Sequence, residues 1–376
     1  MRYTHIKNQT GLSLIEMMIA MVVGLILVAG VLSIYIGSRH GYGTNSAVGQ
    51  VQANGRFAMD FIRSAVRQAG YMGCAVSSPA TISSELNSTA STLPYNFALG
   101  VSGFEYTGTA PGSTFTGLAE TLSPASGAGN WSPTLDSSLP VTGSNYVAPG
   151  SDVLVVRYAT DDPAYVTAIT GANQFNTHGG AELGNGNIVV VTNCLSGVVM
   201  QLTGATPAVT TNSVTAAVGG AYLPGNASPA NLPSGFVGAQ VVTPTTAVFY
   251  VGQGMDKGPA LFEAVPSPTN PSVFVDTELV PGVENMQVLY GIDTNGTRTP
   301  SQYVTADNVS DWTQVVSVRV ALLMQSNIGA LSLPPSGSTP NFDLLGTTVT
   351  VPSDTRLRRV FTSDIYIRNE QPASDL

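Results

Sequence analysis

One stretch near the N-terminus restricts this chain more than any other. Between Lys7 and Arg39 the only charged side chain is Glu16. Residues 17–36 are uncharged and mostly apolar, and a helix needs about 20 such residues to cross a bilayer. A charge beside such a run costs on the order of 2.5–3.5 kcal/mol if it sits at mid-membrane. Glu16 therefore has to lie near the interface or find a partner.

The segment ahead of the run is short. It carries Arg2, His5 and Lys7, and no acid precedes Glu16. The positive-inside rule keeps this end in the cytoplasm and puts the rest of the chain outside. A secretory signal has a shorter apolar core followed by a small-residue cleavage site. Here the run is longer, and no A-x-A pattern follows it. The glycine that reads as a processing site, Gly11, comes before the run. Cleavage there would remove a leader and leave the helix in place.

Gly11-Leu12-Ser13-Leu14-Ile15-Glu16 resembles the class III signal of type IV prepilins. The resemblance implies a membrane-bound prepilin peptidase that cuts after Gly11. It implies an N-methylated Leu12 at the mature N-terminus and Glu16 as the assembly glutamate. Many members begin with Phe, and Leu12 departs from that. Cleavage would create a positive amine at Leu12. In a filament the Glu16 carboxylate of an incoming subunit could meet the Leu12 amine of its neighbour. Neither charge would then stand alone in a low-dielectric core, where breaking a buried pair costs about 3–5 kcal/mol. A plain signal anchor with an incidental Glu16 is the alternative; an isolated intramembrane acid is usually functional.

At 376 residues with 10% charged side chains, the composition suits an extracellular β-rich domain with long loops rather than a helical cytosolic enzyme. The formal net charge is −9; beyond Gly70 there are 8 basic residues and 21 acids, a net −13. No basic patch for nucleic acid is visible. Cys74 and Cys194 are the only cysteines. In an exported chain they read as a disulfide tying the helix end to the sheet domain, against two separate buried thiols.

Gly37, Gly41 and Gly43 each weaken a helix by about 1 kcal/mol relative to Ala, which predicts a kink or softened turn. Beyond them Val48, Val51, Gly55, Ala58, Ile62, Ala65 and Ala69 recur three and four apart, on one face of a second helical half. Phe57 and Phe61 are expected to widen its apolar side. The helix should end near residues 70–74 and, if continuous, span roughly 90 Å. Strands are expected over 151–158, 187–192, 197–202, 239–251, 259–265, 273–279, 283–290, 314–324 and 356–368. Residues 76–150 read as loops with a few short strands, and 204–238 as surface loop. Asn295-Gly296 signals a hairpin turn.

The run Gly282-Val283-Glu284-Asn285-Met286-Gln287-Val288-Leu289-Tyr290, then Trp312, then Val315-Val316-Ser317-Val318-Arg319-Val320, is similar to PilW-type minor pilins. So are the ending Arg356-Leu357-Arg358-Arg359-Val360-Phe361-Thr362-Ser363-Asp364 and the stretches 70–74 and 151–158. The resemblance implies an α+β pilin-like fold: one long N-terminal α-helix packed on a mostly antiparallel β-sheet domain, in one or two sheets. It divides the chain into a leader (1–11), a transmembrane or filament-core half-helix (12–37), an amphipathic half-helix (38–72) and a β-rich periplasmic or extracellular domain (73–376).

No enzyme constellation is visible: there is no G-x-S-x-G elbow, Walker loop or H-E-x-x-H. His178 reads as an exposed loop residue, and residues 252–258 as a turn. Asp293, Asn295 and Thr297 alternate oxygen ligands but lack the later glutamate of a calcium loop. Arg356, Arg358 and Arg359 read as the polar face and edge protection of a strand. No catalytic residue, metal or cofactor is expected. The family resemblance implies a minor pilin that initiates or caps a type IV pilus and supports adhesion and twitching motility. Its implied partners are other minor pilins, the major pilin, a large tip adhesin and the prepilin peptidase, with no direct nucleic-acid contact. It would sit in the inner membrane before assembly and on the pilus afterwards. Two alternatives stay open: a minor pseudopilin of a type II secretion system, and a membrane-tethered surface-binding domain that never polymerises and keeps its leader.

Overall fold

The structure is a computed structural model. It describes residues 13–87, 93–118, 123–140, 146–180, 183–206, 212–229, 232–267, 273–331, 334 and 339–369. A single helix, α1, runs without interruption over Leu14–Gln68, about 82 Å at 1.5 Å per residue. Gly37, Gly41 and Gly43 lie inside this continuous helix, so any softening there does not interrupt it. Three glycines cost about 3 kcal/mol together, but no proline removes a backbone donor there. Just beyond them the Thr44 hydroxyl donates to the Ala330 carbonyl at 2.7 Å and ties the helix to the body. The helix ends where predicted. Ala69 leaves helical geometry, and Gly70 takes φ 75° and donates its N–H to the Arg157 carbonyl at 2.9 Å.

The second half of α1 buries Val51, Gly55, Ala58, Met59, Ile62, Ala65 and Val66. Phe57 and Phe61 do not join them and face outward. Each precedes a buried residue by one position, and one residue turns a helix by about 100°. Their apolar character is thus on the wrong side for the domain core.

Five sheets occur among the described residues. The helix lies on a four-stranded antiparallel sheet ordered Gln302–Val304, Val283–Ile292, Val315–Gln325, Arg358–Tyr366. Along Val315–Gln325 the pleat sends alternate residues to opposite faces. Val318, Val320, Leu322 and Met324 join the helix cluster. Ala321 and Leu323 face a small sheet of Asn341–Leu344, Thr347–Thr350 and Thr114–Phe115.

A six-stranded sheet follows the order Phe274–Pro281, Pro259–Pro266, Pro244–Gln253, Val153–Ala159, Val101–Tyr106, Trp131–Ser132. It adds Leu154, Val156 and Phe249 to the same helix cluster. An eight-stranded sheet carries Ile188–Thr192 and Gly197–Gln201 near one edge. A two-stranded hairpin, Tyr71–Met72 with Ala75–Val76, follows the helix. Two strand pairings are parallel, Gly197–Gln201 with Ile82–Ser84 and Thr347–Thr350 with Thr114–Phe115, and the others among the described residues are antiparallel. The fold is α+β and pilin-like, with more sheets than the one or two expected.

Several strands were not placed by the sequence, and one pair lies in the expected surface loop over 204–238. Val101–Tyr106 contains Gly103 and Glu105, residue types depleted in strands. Yet a Cβ at Gly103 would stand 1.9 Å from the Tyr290 hydroxyl, so the close approach requires glycine. Ala164–Gly171 and Gln174–His178 form a hairpin in the eight-stranded sheet, and Gly204–Thr206 pairs with Asn212–Thr215. His178 thus ends a strand. The expected strand over 239–251 splits at Thr243 into Gln240–Val242 and Pro244–Gln253, which belong to different sheets.

The alternation in Val283–Ile292 does not leave a wet face, because all ten positions are buried. Asn285 and Gln287 donate to the Gly150 carbonyl at 2.6 and 2.8 Å. Asn295-Gly296 does not close a two-residue hairpin. The connection to Gln302–Val304 is longer. It is held by Asp293, whose carboxylate accepts the Asn295 and Arg298 N–H groups at 3.0 and 2.6 Å.

Gly55 sits where α1 meets the last strand. A Cβ there would lie 2.5–2.7 Å from the Phe361 ring. Gly55→Leu gains about 1 kcal/mol in helix propensity but overpacks the contact, at about 1–3 kcal/mol. Net destabilisation is expected as a lower urea midpoint. In a Phe361→Ala background the same change should stabilise.

Candidate assembly site

The first turn of α1 is built by a capping box. The Ser13 hydroxyl accepts the Glu16 N–H at 3.2 Å, and the Glu16 carboxylate accepts the Ser13 N–H at 3.4 Å. Two donors that a helix start would leave unpaired are satisfied reciprocally. The negative charge also sits at the positive end of the helix dipole. Gly11 and Leu12 lie outside the described residues. Glu16 therefore has a local role, visible in the Ser-Leu-Ile-Glu spacing, that the reading of its charge alone passed over.

Beyond this turn the apolar half projects away from the body. The helix is long and apolar enough to cross a membrane, and none of its most apolar window is buried within the chain. Leu14, Ile15, Met17 and the residues up to Ile36 need lipid or other helices around them, since exposed apolar area costs about 25 cal/mol per Å².

The other half of α1 is fixed to the body mainly through C-terminal elements. Asn54 donates to the Pro281 carbonyl at 3.2 Å, and Arg63 to the Ser363 hydroxyl at 3.1 Å. Asn369 donates to the Ala69 carbonyl at 3.4 Å. At the far end Cys74 and Cys194, separated by 120 positions in sequence, are bonded, with Cα atoms 4.7 Å apart. The bond joins the turn after the helix to the hairpin loop between Ile188–Thr192 and Gly197–Gln201.

Among the described residues two clusters of buried charged groups lie inside the body. Arg358 is not edge protection. Its buried guanidinium contacts Glu284 at 2.6 and 3.0 Å and Asp354 at 2.7 and 2.9 Å. Burial pushes the Glu284 carboxyl up, against the pull of Arg358. Asp354 is pushed up by burial too, but hydrogen bonds from Arg358 and the Arg356 N–H outweigh this and hold it below its ordinary value. Arg356 lies 3.4 Å from Asp354.

The second cluster pairs Glu105 with Asp152. Asp152 accepts the Tyr106 N–H at 3.0 Å and the Val288 N–H at 2.8 Å, and so staples the six-stranded sheet to the four-stranded one. Glu105 accepts from Thr109 at 3.1 Å and shares a hydrogen bond with the Asp152 carboxyl, which needs one of the two to keep its proton. Burial raises both carboxyls; the nearby Asp152 charge raises Glu105 further, while the two backbone N–H bonds pull Asp152 back. The gap beside them leaves no room for a water molecule, so paired acids here have no access to a substrate. No local pattern announced this pair, whose members lie far apart in sequence.

A carboxyl raised in the folded state keeps a proton that the unfolded chain releases. Stability from this pair is complete below the ordinary carboxyl range and declines as pH rises above it. The melting temperature is expected to fall between about pH 5 and about pH 8. Glu105→Gln should remove most of that slope and stabilise by about 1–3 kcal/mol at the upper end. An unchanged slope in the variant would contradict this.

Among the described residues no group of three His, Cys, Asp or Glu is placed to hold a metal. The oxygens of Asp293 are taken by N–H donors of its own loop, which disfavours a cation there.

Comparison with known families gives two matches. Residues 248–369 match the family model described as type IV pilus-assembly protein W. Residues 6–32 match the prokaryotic N-terminal methylation motif. The first covers the strands that hold α1, and the second covers the capped start of the helix and most of its apolar half. No curated protein and no solved structure matches the chain.

Proposed function

Because this chain is a PilW-type prepilin with a class III signal, and so a minor pilin related to the type IV pilus, we propose that it takes part in initiation and tip assembly of the filament. One observation carries the reading: a capped helix with a lone acid in its first turn leaves its apolar half wholly uncovered, while its other half is locked to a β-rich body. Such a helix can leave lipid and enter a bundle of like helices without refolding. In this reading the prepilin peptidase cuts between Gly11 and Leu12, and Leu12 is methylated. Residues 12–37 become filament core, and 38–72 join them to the body. Glu16 meets the Leu12 amine of a neighbour. Other minor pilins, the major pilin and a large tip adhesin are the partners; adhesion and twitching motility follow from the filament.

Shearing filaments from cells that make the protein tests this. The chain is expected in the sheared fraction at low copy relative to the major subunit. Retention in the periplasm while filaments form normally would favour a secretion pseudopilin instead.

A further inference from the structure

The membrane end of the body holds a cavity of about 300 Å³. Residues 25–43 of α1 are exposed throughout, and the body begins at Thr44, which holds the Ala330 carbonyl at 2.7 Å. Arg39 is the first charge after the apolar run. It marks the headgroup level, where long basic side chains settle. Thr44 lies five residues further on, about 7.5 Å along the axis, and a headgroup layer is about 5–8 Å deep. The loop that carries Ala330 therefore stands at the lipid surface while the helix spans the membrane. The cavity is walled by residues 325–328 of this loop, by the turn joining Pro244–Gln253 to Pro259–Pro266, and by Arg356. Two large apolar side chains stand out around it, Ile328 at 70% and Met255 at 90% exposure. At that height both can enter the boundary between headgroups and acyl chains.

The cavity carries charge of both signs. Lys257, the only lysine besides Lys7, and Arg356 are its cations; Asp256 and Glu278 are its acids. Glu278 accepts the Met255 N–H at 2.8 Å and so fixes the turn, and Arg356 is steadied by Asp354 at 3.4 Å. A bare phosphate would meet the two acids as well as the two cations. A group with a phosphate and an ammonium a few bonds apart satisfies both sets. We propose that this cavity seats the headgroup of a zwitterionic phospholipid bearing a primary ammonium while the chain is in the membrane. Lys257 and Arg356 take the phosphate, Glu278 and Asp256 take the ammonium, and Met255 and Ile328 sit at the acyl boundary. The proposal rests on the reading of residues 17–36 as a membrane span and not on the chain's later place in a filament.

The test is native mass spectrometry of the full chain released from nanodiscs of equal phosphatidylethanolamine, phosphatidylcholine and phosphatidylglycerol. The chain is expected to retain one phosphatidylethanolamine, about tenfold over either other lipid. Glu278→Gln with Asp256→Asn should erase that preference, and Lys257→Gln should lower retention of the same lipid. Phosphoethanolamine added in solution at the lipid's concentration should displace none of it. Displacement would assign the cavity to a soluble phosphate ester and overturn the membrane setting. Equal retention of the three lipids, or a preference unchanged in the acid variant, overturns the headgroup proposal and leaves the pilus reading standing. A chain that does not enter the nanodiscs would remove the membrane span, and both readings with it.

Discussion

Arg358→Ala is expected to destabilise the protein by about 3–5 kcal/mol, the cost of leaving a buried ion cluster without one partner. The guanidinium side chain is 4% exposed, and Glu284 and Asp354 are nearly as closed. Its loss would strand Glu284 in a dry site and leave Asp354 to Arg356 alone. It would also unpin the last strand from Val283–Ile292 across the strand between them. A folded domain has only about 5–15 kcal/mol in hand, so the effect should show as a large drop in the urea midpoint and a poorly folded export product. Replacing the charges together by apolar groups of similar volume, as Arg358→Met with Glu284→Met and Asp354→Leu, should recover part of the loss, since a buried ion cluster exchanged for well-packed apolar residues is often close to neutral. A single-variant loss under about 1 kcal/mol would mean that water reaches the cluster.

The second large effect concerns Glu16. Two roles converge on it: the helix cap seen in the structure and the proposed pairing with a neighbour's amine. They differ in size and can be separated. Losing a cap costs about 1 kcal/mol; stranding a buried amine costs about 3–5 kcal/mol, or roughly a hundredfold or more in incorporation. Glu16→Ala should abolish both. Glu16→Gln can still complete a capping box but carries no charge. Filament incorporation measured by shearing is expected to collapse in both variants. Normal incorporation of Glu16→Gln would leave only the cap as the role of this residue.

Legibility followed the reach of the physics. The helix and its buried stripe could be read because the 3.6-residue period is local, whereas for Cys74 and Cys194 the sequence left a bond and two separate thiols both open, and the structure has them bonded. The helix runs on through Gly37, Gly41 and Gly43 because three small local penalties are outweighed by a helix anchored from Thr44 onward. Phe57 and Phe61 misled because hydrophobicity says that a ring wants cover, not whose cover. The strand Val101–Tyr106 was hidden because Gly103 and Glu105 answer to Tyr290 and Asp152, far along the chain. Arg358 looked like an edge arginine because Glu284 lies 74 residues away. Of the candidate site, Glu16 was found from its isolation in an apolar run, while its capping box with Ser13, legible in the Ser-x-x-Glu spacing, was passed over.

Mass spectrometry of the N-terminal peptide from filament-borne protein tests the central claim most directly. The account predicts a chain that begins at Leu12 and carries an N-methyl group. A fully working protein that still begins at Met1 would contradict it.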